Sequence, residues 1–384
     1  MAIEIIFWLC FAALFYCYIG YGLILYGVSS FRSRMATVPF ANLPSLTLVI
    51  PCFNEGAILQ QKIENTLSLH YPVEQLSLLI VADGSSDNTV SITSKYPQIK
   101  IIHEPVRKGK AAALNRAMQE VQSPIVIFSD ANSFLNKDCL LEMVRPFSDQ
   151  KVGAVAGEKR VSTWGSPVGQ VEGAYWQYES RIKKAEAAFY SVIGAAGELL
   201  AIRTELYRPL KEDTVLDDLT LSLKVCMQGY KVAYAAKAIA TETPSFSLAE
   251  EEKRKVRIGA GAFQLLRRLQ WRQLFLHPVI AFQFISKRWL RWVICPFALP
   301  VMFLANAILW VQQLSIFYSL FFGLQLLFYL MAFVGWWFLK KNKKLSVATG
   351  IYYFLFMNYC LVKGFAVFLR KEESVLWPKA KRVI

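Results

Sequence analysis

Acidic or amide side chains follow directly on apolar runs at four places in this chain, and the pairing suits a definite chemistry. "SLTLVIPCFNE" (45–55) leads into Asn54-Glu55, "LSLLIVADGSSDNT" (76–89) into Asp83-Gly84, and "PIVIFSDAN" (124–132) into Asp130 and Asn132. The fourth, "VLDDLTLSLKV" (215–225), sets Asp217 and Asp218 at the head of a segment with helical character. Carboxylate and amide oxygens are ligands for hard divalent cations. They also accept hydrogen bonds from a bound molecule, and a carboxylate can take the proton of an attacking hydroxyl. One acid after a strand is as well explained by a helix cap. Three such signals at strand ends of one sheet point to a ligand. The basic counterpart is "RKGKAAALNRAM" (107–118), with Arg107, Lys108 and Lys110 at a helix start, where the dipole and free amides favour anions. Arg107 and Lys108 suit a solvated helix start equally; Gly109 in front of Lys110 favours function for that lysine.

The elements that must hold these groups can be read from the same stretches. Short β-rich runs at 45–51, 76–83, 99–104, 124–130 and 153–157 alternate with helical segments at 57–69, 87–96 and 110–121. Such alternation predicts a parallel sheet covered on both faces. Ligands bind beyond the carboxyl ends of such strands, where the polar signals stand.

Composition separates this body from the rest. Of 384 residues, 43 are Lys or Arg and 28 are Asp or Glu, a net charge of +15. Residues 1–250 are nearly neutral, with 23 basic and 24 acidic side chains, whereas residues 251–384 carry 20 basic and 4 acidic. The basic residues flank long apolar runs, which indicates a membrane rather than nucleic acid. Ile5–Val28 has no charged residue and is followed by Arg32 and Arg34; Trp292–Leu339 has none either. The first is too long for a signal core and lacks a small-residue cleavage site, so it reads as an uncleaved anchor. The second predicts two spans broken near Gln312-Gln313 and closed by Lys340, Lys341, Lys343 and Lys344. Leu345–Leu369, interrupted by Lys363, is a third candidate. Seven scattered cysteines without a CxxC pair, and three histidines, suggest neither zinc nor a disulfide framework.

In order and spacing, "VIPCFNEG" (49–56), "IVADGSSDNT" (80–89), "RKGKAAALNRAM" (107–118), "FSDAN" (128–132) and "VLDDLTLSLKVCMQGYKVAY" (215–234) resemble the successive signatures of family 2 glycosyltransferases. The likeness covers roughly residues 45–240, and the flanking apolar runs resemble membrane-integrated members that make cell-surface polysaccharides. It implies an α/β fold of GT-A (Rossmann-like) type, a mixed, mainly parallel sheet with transmembrane helices at both ends. The expected division is an anchor at 1–31, the catalytic domain at 44–245, interfacial helices at 246–290, spans at 291–370 and a basic tail at 371–384.

The resemblance also assigns roles. A nucleotide-sugar donor, UDP-linked, would meet Pro51, Phe53, Asn54, Glu55, Asp83, Gly84, Lys110 and Asp130, with Asp83 on the uracil or ribose edge. Asp130 and Asn132 stand where the family carries its DxD motif and would hold Mg²⁺ or Mn²⁺; Asn in place of the second Asp removes a charge from that site, and a helix cap is the other reading of Asn132. Asp218 would be the base of an inverting transfer, supported by Asp217. Gly194 and Gly197 would let a sugar pass close to backbone, and Trp176 would stand near the acceptor unless it serves helix packing. Where processive members carry Gln-x-x-Arg-Trp, this chain has Arg254-Lys255-Val256-Arg257-Ile258, so only the arginine is kept. Arg254 and Arg257, three apart, would face the donor diphosphate or an anionic acceptor.

The segment 251–273 is amphipathic and suits a helix at the cytoplasmic interface near anionic lipid. The functional expectation is thus a hexosyltransferase of the bacterial plasma membrane, multi-pass with a cytoplasmic catalytic domain. It would extend a cell-surface polysaccharide, with a saccharide or lipid-linked acceptor, membrane lipids and export proteins as partners and no nucleic acid. Single transfer to a polyprenyl-phosphate carrier is the alternative within the class; a non-enzymatic, membrane-tethered nucleotide-binding protein is the alternative outside it. A dehydrogenase is disfavoured because the first strand–helix turn lacks GxGxxG.

Overall fold

The computed structural model describes residues 1–29, 42–162, 167–195, 197–313, 315–341, 343 and 345–371. Arg32, Arg34, Lys344, position 196 within the Gly194–Glu198 stretch and the tail at 372–384 lie outside the described residues.

The apolar runs form strands because they are buried on both sides. In β1 (Leu46–Cys52) all seven residues are buried. Their side chains alternate between two cores: Leu46, Leu48, Ile50 and Cys52 enter one, and Val49 enters the other. The next strand, β2 (Leu76–Asp83), divides the same way, with Leu78 and Ile80 on one face and Leu79 and Val81 on the other. β3 (Ile99–Glu104) and β4 (Ile125–Phe128) complete the parallel part. The two-residue strand β5 (Phe134–Leu135), β6 (Val152–Val161), β7 (Leu200–Arg203) and β8 (Lys231–Glu242) extend the sheet. The order is β3-β2-β1-β4-β7-β6-β8-β5. β7 runs antiparallel to both its neighbours, β6 and β8 are parallel, and β5 is antiparallel to β8. The sheet is therefore mixed and mainly parallel, of the GT-A-like type that the sequence resemblance implied.

Register puts the polar signals on one edge. Cys52 pairs with Ala82 and Val49 with Phe128. Asn54-Glu55, Asp83-Gly84 and Asp130 consequently leave the sheet side by side. Strand β7 enters from that same edge, since Leu200 pairs with Phe128, and it brings the residues before it to Asp130. Strands β6 and β8 end there too, with Lys159 opposite Ala240 and Val161 opposite Glu242.

Helices cover both faces and both ends of the chain. The amino-terminal helix is α1 (Ala2–Phe15), a π turn, and α2 (Tyr21–Ser29). Within the sheet domain lie α3 (Gly56–Leu67), α4 (Thr89–Thr93), α5 (Lys110–Met118), α6 (Cys139–Val144), α7 (Pro167–Phe189) and α8 (Asp217–Met227). There follow α9 (Leu248–Arg268), α10 (Trp271–Phe275), α11 (Pro278–Phe284), a π-helical segment (Ile285–Ile294), α12 (Cys295–Gln313), α13 (Ile316–Lys340) and α14 (Ser346–Leu369).

Among the described residues, four helices are long and apolar enough to cross a membrane: Ala2–Val28, Pro278–Gln313, Ile316–Lys340 and Ser346–Leu369. The second begins at Pro278, well ahead of the charge-free run at Trp292. Lys287 and Arg291 fit within it because Glu186 and Glu179 on α7 neutralise them, at 2.7 and 2.5 Å. The amphipathic segment is likewise not a free surface helix. α9 packs along α14 through glycines, where a Cβ on Gly259 would stand 3.3 Å from the Cα of Gly364, and Lys363 pairs with Glu252 at 2.6 Å.

Candidate active site

Asp83 is 4 % exposed at the end of β2, and both its carboxylate oxygens are engaged. It receives the backbone N–H of Lys108 at 3.1 Å and of Gly109 at 2.6 Å, and a 2.5 Å bond from Arg116 of α5. Its carboxylate therefore holds the loop that leads into α5 and aims Lys110. Gly84 next to it has φ +69°, and a Cβ there would come within 2.6 Å of the Arg107 backbone nitrogen. That close approach requires glycine. Arg107 in turn lies over the Phe53 ring at 3.4 Å. Pro51, Phe53, Asp83, Arg107 and Lys110 share one narrow crevice at this strand edge.

The neighbouring turn is built from its own side chains. Asn54 has φ +53°, a conformation that Asn tolerates, and its amide oxygen accepts the N–H of Ser86 at 2.8 Å. The Glu55 N–H donates to Thr89 Oγ1 at 3.0 Å, and the Gly56 N–H to Asp87 at 2.9 Å. The first two strand ends are thus sewn together.

At the centre, the Lys110 ammonium donates to Asp130 Oδ1 at 2.6 Å and lies 3.3 Å from Asp217 Oδ2. Burial alone would push this lysine down, but Asp130 and Asp217 outweigh it and hold it above its ordinary value. Asp218, beside Asp217 at the start of α8, accepts the Leu219 N–H at 2.7 Å. Burial, then the Asp217 charge, pushes the Asp218 carboxyl up to about 6, against the pull of Lys110. Gly197 makes room for the group: a Cβ there would lie 3.4 Å from Lys110 Nζ and 3.6 Å from Asp218 Oδ2. Gly194, at φ +91°, allows an equally close approach by Leu219 and Arg288.

The turn after β4 that carries Asp130 and the half-buried Asn132 is pinned from below. The fully buried Lys62 donates to Ser129 Oγ at 2.8 Å and to the Ser133 carbonyl at 2.5 Å. Carboxylate oxygens of Asp130, Glu198 and Glu242 lie within 4.8 Å of one another. Lys159 pairs with both Glu198 and Glu242, the latter at 3.0 Å. Burial, then Lys159 in the opposite sense, leaves the Glu198 carboxyl pushed up to about 7. Three buried or half-buried hard oxygen donors fit Mg²⁺ or Mn²⁺. Glu198 and Glu242 were not signalled by the sequence: Glu198 precedes an antiparallel strand whose direction no local pattern reveals, and Glu242 ends a twelve-residue strand far along the chain.

Trp176 of α7 is half-buried and faces two ammonium groups, Lys159 at 4.8 Å and Lys183 at 5.7 Å. The two arginines of α9 separate. Arg254 pairs with Glu172 and, at 3.0 Å, with Glu251, both buried. Arg257 is half-buried, and burial holds it below its ordinary value against the pull of Asp217, Asp130 and Asp218. Arg288, also missed, donates to the Ile193 carbonyl at 3.2 Å beside Gly194.

Residues 47–209 match the family model described as glycosyl transferase family 2. The poly-beta-1,6-N-acetyl-D-glucosamine synthase of Staphylococcus epidermidis (strain ATCC 35984) is 25 % identical over 277 residues, 69 % of this chain and 67 % of the relative. The synthase of the same name from Staphylococcus aureus (strain COL) is 26 % identical over 234 residues. That alignment takes in 59 % of this chain and 56 % of the relative, so the chain spans little more than half of that protein. Among solved structures, a mannosyltransferase from Pyrobaculum calidifontis in complex with GDP-Man and Mn²⁺ superposes with a TM-score of 0.72 at 21 % identity. It covers 97 % of this chain and all of its own, so the likeness of fold includes the apolar helices. Residues 47–209 are thus a glycosyl transferase family 2 domain of GT-A fold, and the chain that carries them between apolar helices is a glycosyltransferase.

Proposed function

We propose that the protein transfers a sugar from a nucleotide-sugar donor, UDP-linked, to a growing cell-surface polysaccharide, with inversion at the anomeric carbon. The observation that carries the reading is Asp218: a half-buried carboxylate, raised to about 6, beside the Lys110–Asp130–Asp217 ion cluster at the carboxyl edge of the sheet. A base with that value is ionised near neutral pH and still accepts a proton readily.

The roles follow from position. Asp218 takes the proton of the acceptor hydroxyl as its oxygen attacks the anomeric carbon and the nucleoside diphosphate leaves from the opposite side. Asp217 fixes Lys110, whose ammonium stands ready for phosphate oxygens. Arg257 adds a second cation facing the same acids. The Phe53–Arg107 stack and the Asp83-anchored loop frame the nucleotide crevice. Bound at Asp130, with Asn132 or Glu198 as further oxygen donors, Mg²⁺ or Mn²⁺ would neutralise charge on the departing diphosphate. The polymer product is supported by the synthases to which the chain is similar. The catalytic edge would face the cytoplasm, where sugar nucleotides are made.

Membranes containing the full chain, supplied with labelled UDP- and GDP-linked sugars, test this reading. Nucleotide release with a labelled product that lengthens with time is expected. A labelled lipid that never lengthens would replace polymerisation by single transfer, and no turnover with any donor would overturn the enzymatic reading of the site.

A further inference from the structure

Asp218 is the second residue of α8, so the chain that enters this helix decides where its carboxylate stands. Leu216 occupies the position where Ser, Thr, Asp or Asn commonly caps a helix, and it supplies no side-chain hydrogen bond. The approach to Asp218 therefore takes its shape from contacts outside α8, and α9 supplies them.

Gln264 of α9 is 3 % exposed, and its amide spans the loop with two backbone bonds. Nε2 donates to the Asp213 carbonyl at 2.9 Å, and Oε1 accepts the Val215 N–H at 3.2 Å. One turn on, the Arg268 guanidinium forks onto the Asp213 carboxylate, with Nη1 2.8 Å from Oδ1 and Nη2 on Oδ2. One turn back, Gly261 leaves room for the loop: a Cβ there would stand 2.7 Å from the Val215 side chain and 3.1 Å from that of Leu216. Positions 261, 264 and 268 share one stripe of the helix. All three meet residues 213–216, directly ahead of Asp217.

The opposite stripe of α9 is fixed as firmly. Gly259 lies against α14, where a Cβ would come within 3.2 Å of the Cys360 carbonyl oxygen and 3.3 Å of the Gly364 Cα. A Cβ on Gly364 would in turn meet the Ala260 nitrogen at 2.7 Å. Two backbones in such contact leave α9 no slack to slide or roll. Gln264 is thus a fixed reference for the loop, carried by a helix whose back rests on an apolar helix and not on the sheet. A shift of about 1 Å in a reacting group costs about 10²-fold in rate, so the residue that fixes this approach bears on the chemistry.

We propose that Gln264 is a positioning residue for the transfer: through the Asp213 carbonyl and the Val215 N–H it sets the entry of α8, and with it the place of the Asp218 carboxylate. It touches no reacting atom itself. The inference rests on the reading of Asp218 as the base and adds the residue that holds the base in place. Arg268 secures the half-exposed side chain of Asp213, whereas Gln264 secures the backbone, so the larger effect belongs to Gln264.

Measurements on the detergent-solubilised full chain separate positioning from folding. Q264M keeps the size of the side chain and removes both bonds. Hydrogen exchange should quicken in the segment 211–220 and stay as in the wild type across β1–β4. With the UDP-sugar that turns over in the membrane assay, kcat should fall about 10²-fold. Donor KM and the calorimetric affinity for UDP should stay within about threefold. Q264E keeps the acceptor for Val215 and should lose less; it replaces Q264M should that variant melt early. Quickened exchange with a near-normal kcat would overturn the proposal, since the loop would then not govern the base. So would a loss of UDP affinity as large as that of kcat, which a general loosening of the fold produces. A wild type that turns over no donor removes the base role and this inference with it; an active wild type matched by Q264M removes the inference alone.

Discussion

The two halves of the sheet hold their charges in opposite ways. On the β1–β4 side, Asp83, Asn54 and Asp87 are satisfied chiefly by backbone amides a few tens of residues away. On the β6–β8 side, Lys159, Glu198, Glu242, Glu172, Arg254, Glu179 and Arg291 are satisfied by one another, across separations reaching 112 residues. Amide-held carboxylates make a rigid frame, because the donors cannot move without unfolding a turn. Side-chain ion pairs can exchange partners, which suits the side where metal and acceptor would enter under the proposed function. Asp218 stands where the halves meet, and it is the sharpest place to break the comparison. Asp218→Asn should lower turnover by about 10²- to 10⁴-fold. UDP affinity should stay within about threefold, because the carboxylate acts on the acceptor; near-normal turnover would remove it from the base role. In the wild type, burial and Asp217 raise Asp218, so the base is lost as pH falls. The rate should fall about tenfold per pH unit below about 6 and level off above it.

The paired arginines of α9 separate stability from chemistry. Arg254→Ala leaves the buried Glu172 without its cation and Glu251 with Lys255 alone, 3.4 Å away, and such a loss typically costs about 3–5 kcal/mol. A lower melting temperature with turnover largely kept in the surviving fraction is expected. Arg257→Ala should do the reverse, cutting turnover more than Arg254→Ala at nearly unchanged melting temperature. If both variants lose stability alike, the two arginines form one structural unit.

Asp83→Ala tests the rigid frame. Two backbone amides and Arg116 lose their acceptor, and each buried donor left without one costs about 1–3 kcal/mol. The loop before Lys110 is then released, so the melting temperature and UDP affinity, measured by calorimetry, should fall together. A lower melting temperature with unchanged affinity would make Asp83 a turn residue alone.

Legibility in the sequence followed the same division. Strands β2 and β3 fall at the expected limits, 76–83 and 99–104: β2 reads as an apolar run because its last six residues are buried, and the edge strand β3, with only Ile99 buried, is set off by its three isoleucines. Asp130, Lys110 and the Asp217-Asp218 pair were legible because each stands at such a boundary, and the fold brings all of them together. The helix carrying the first carboxyl-terminal apolar run was not: its start at Pro278 depends on Glu179 and Glu186, about a hundred residues earlier, cancelling charges that locally read as outside a membrane. Glu198 was hidden for a related reason. It gains its meaning only when β7 reverses direction between β4 and β6 and delivers it to Asp130.

That delivery bears on the smallest expected effect, which concerns the metal. Asn132 leaves the turn after β4 one charge short of a two-aspartate site, and Glu198 lies close enough to Asp130 to make up the difference. With Asn132 as a ligand, Asn132→Asp replaces a neutral oxygen by a charged one and should tighten Mn²⁺ binding several-fold, about 1 kcal/mol. Glu198→Gln should weaken it by a comparable factor and also free Lys159 from one of its two carboxylates. Titration of Mn²⁺ by its paramagnetic resonance signal reads both variants without turnover. Tightening by Asn132→Asp together with weakening by Glu198→Gln would place the ion between the two halves of the sheet. An unchanged Asn132→Asp titration would assign that side chain to capping the turn. The ion would then be held by Asp130 and the exchangeable acids of the β6–β8 side alone.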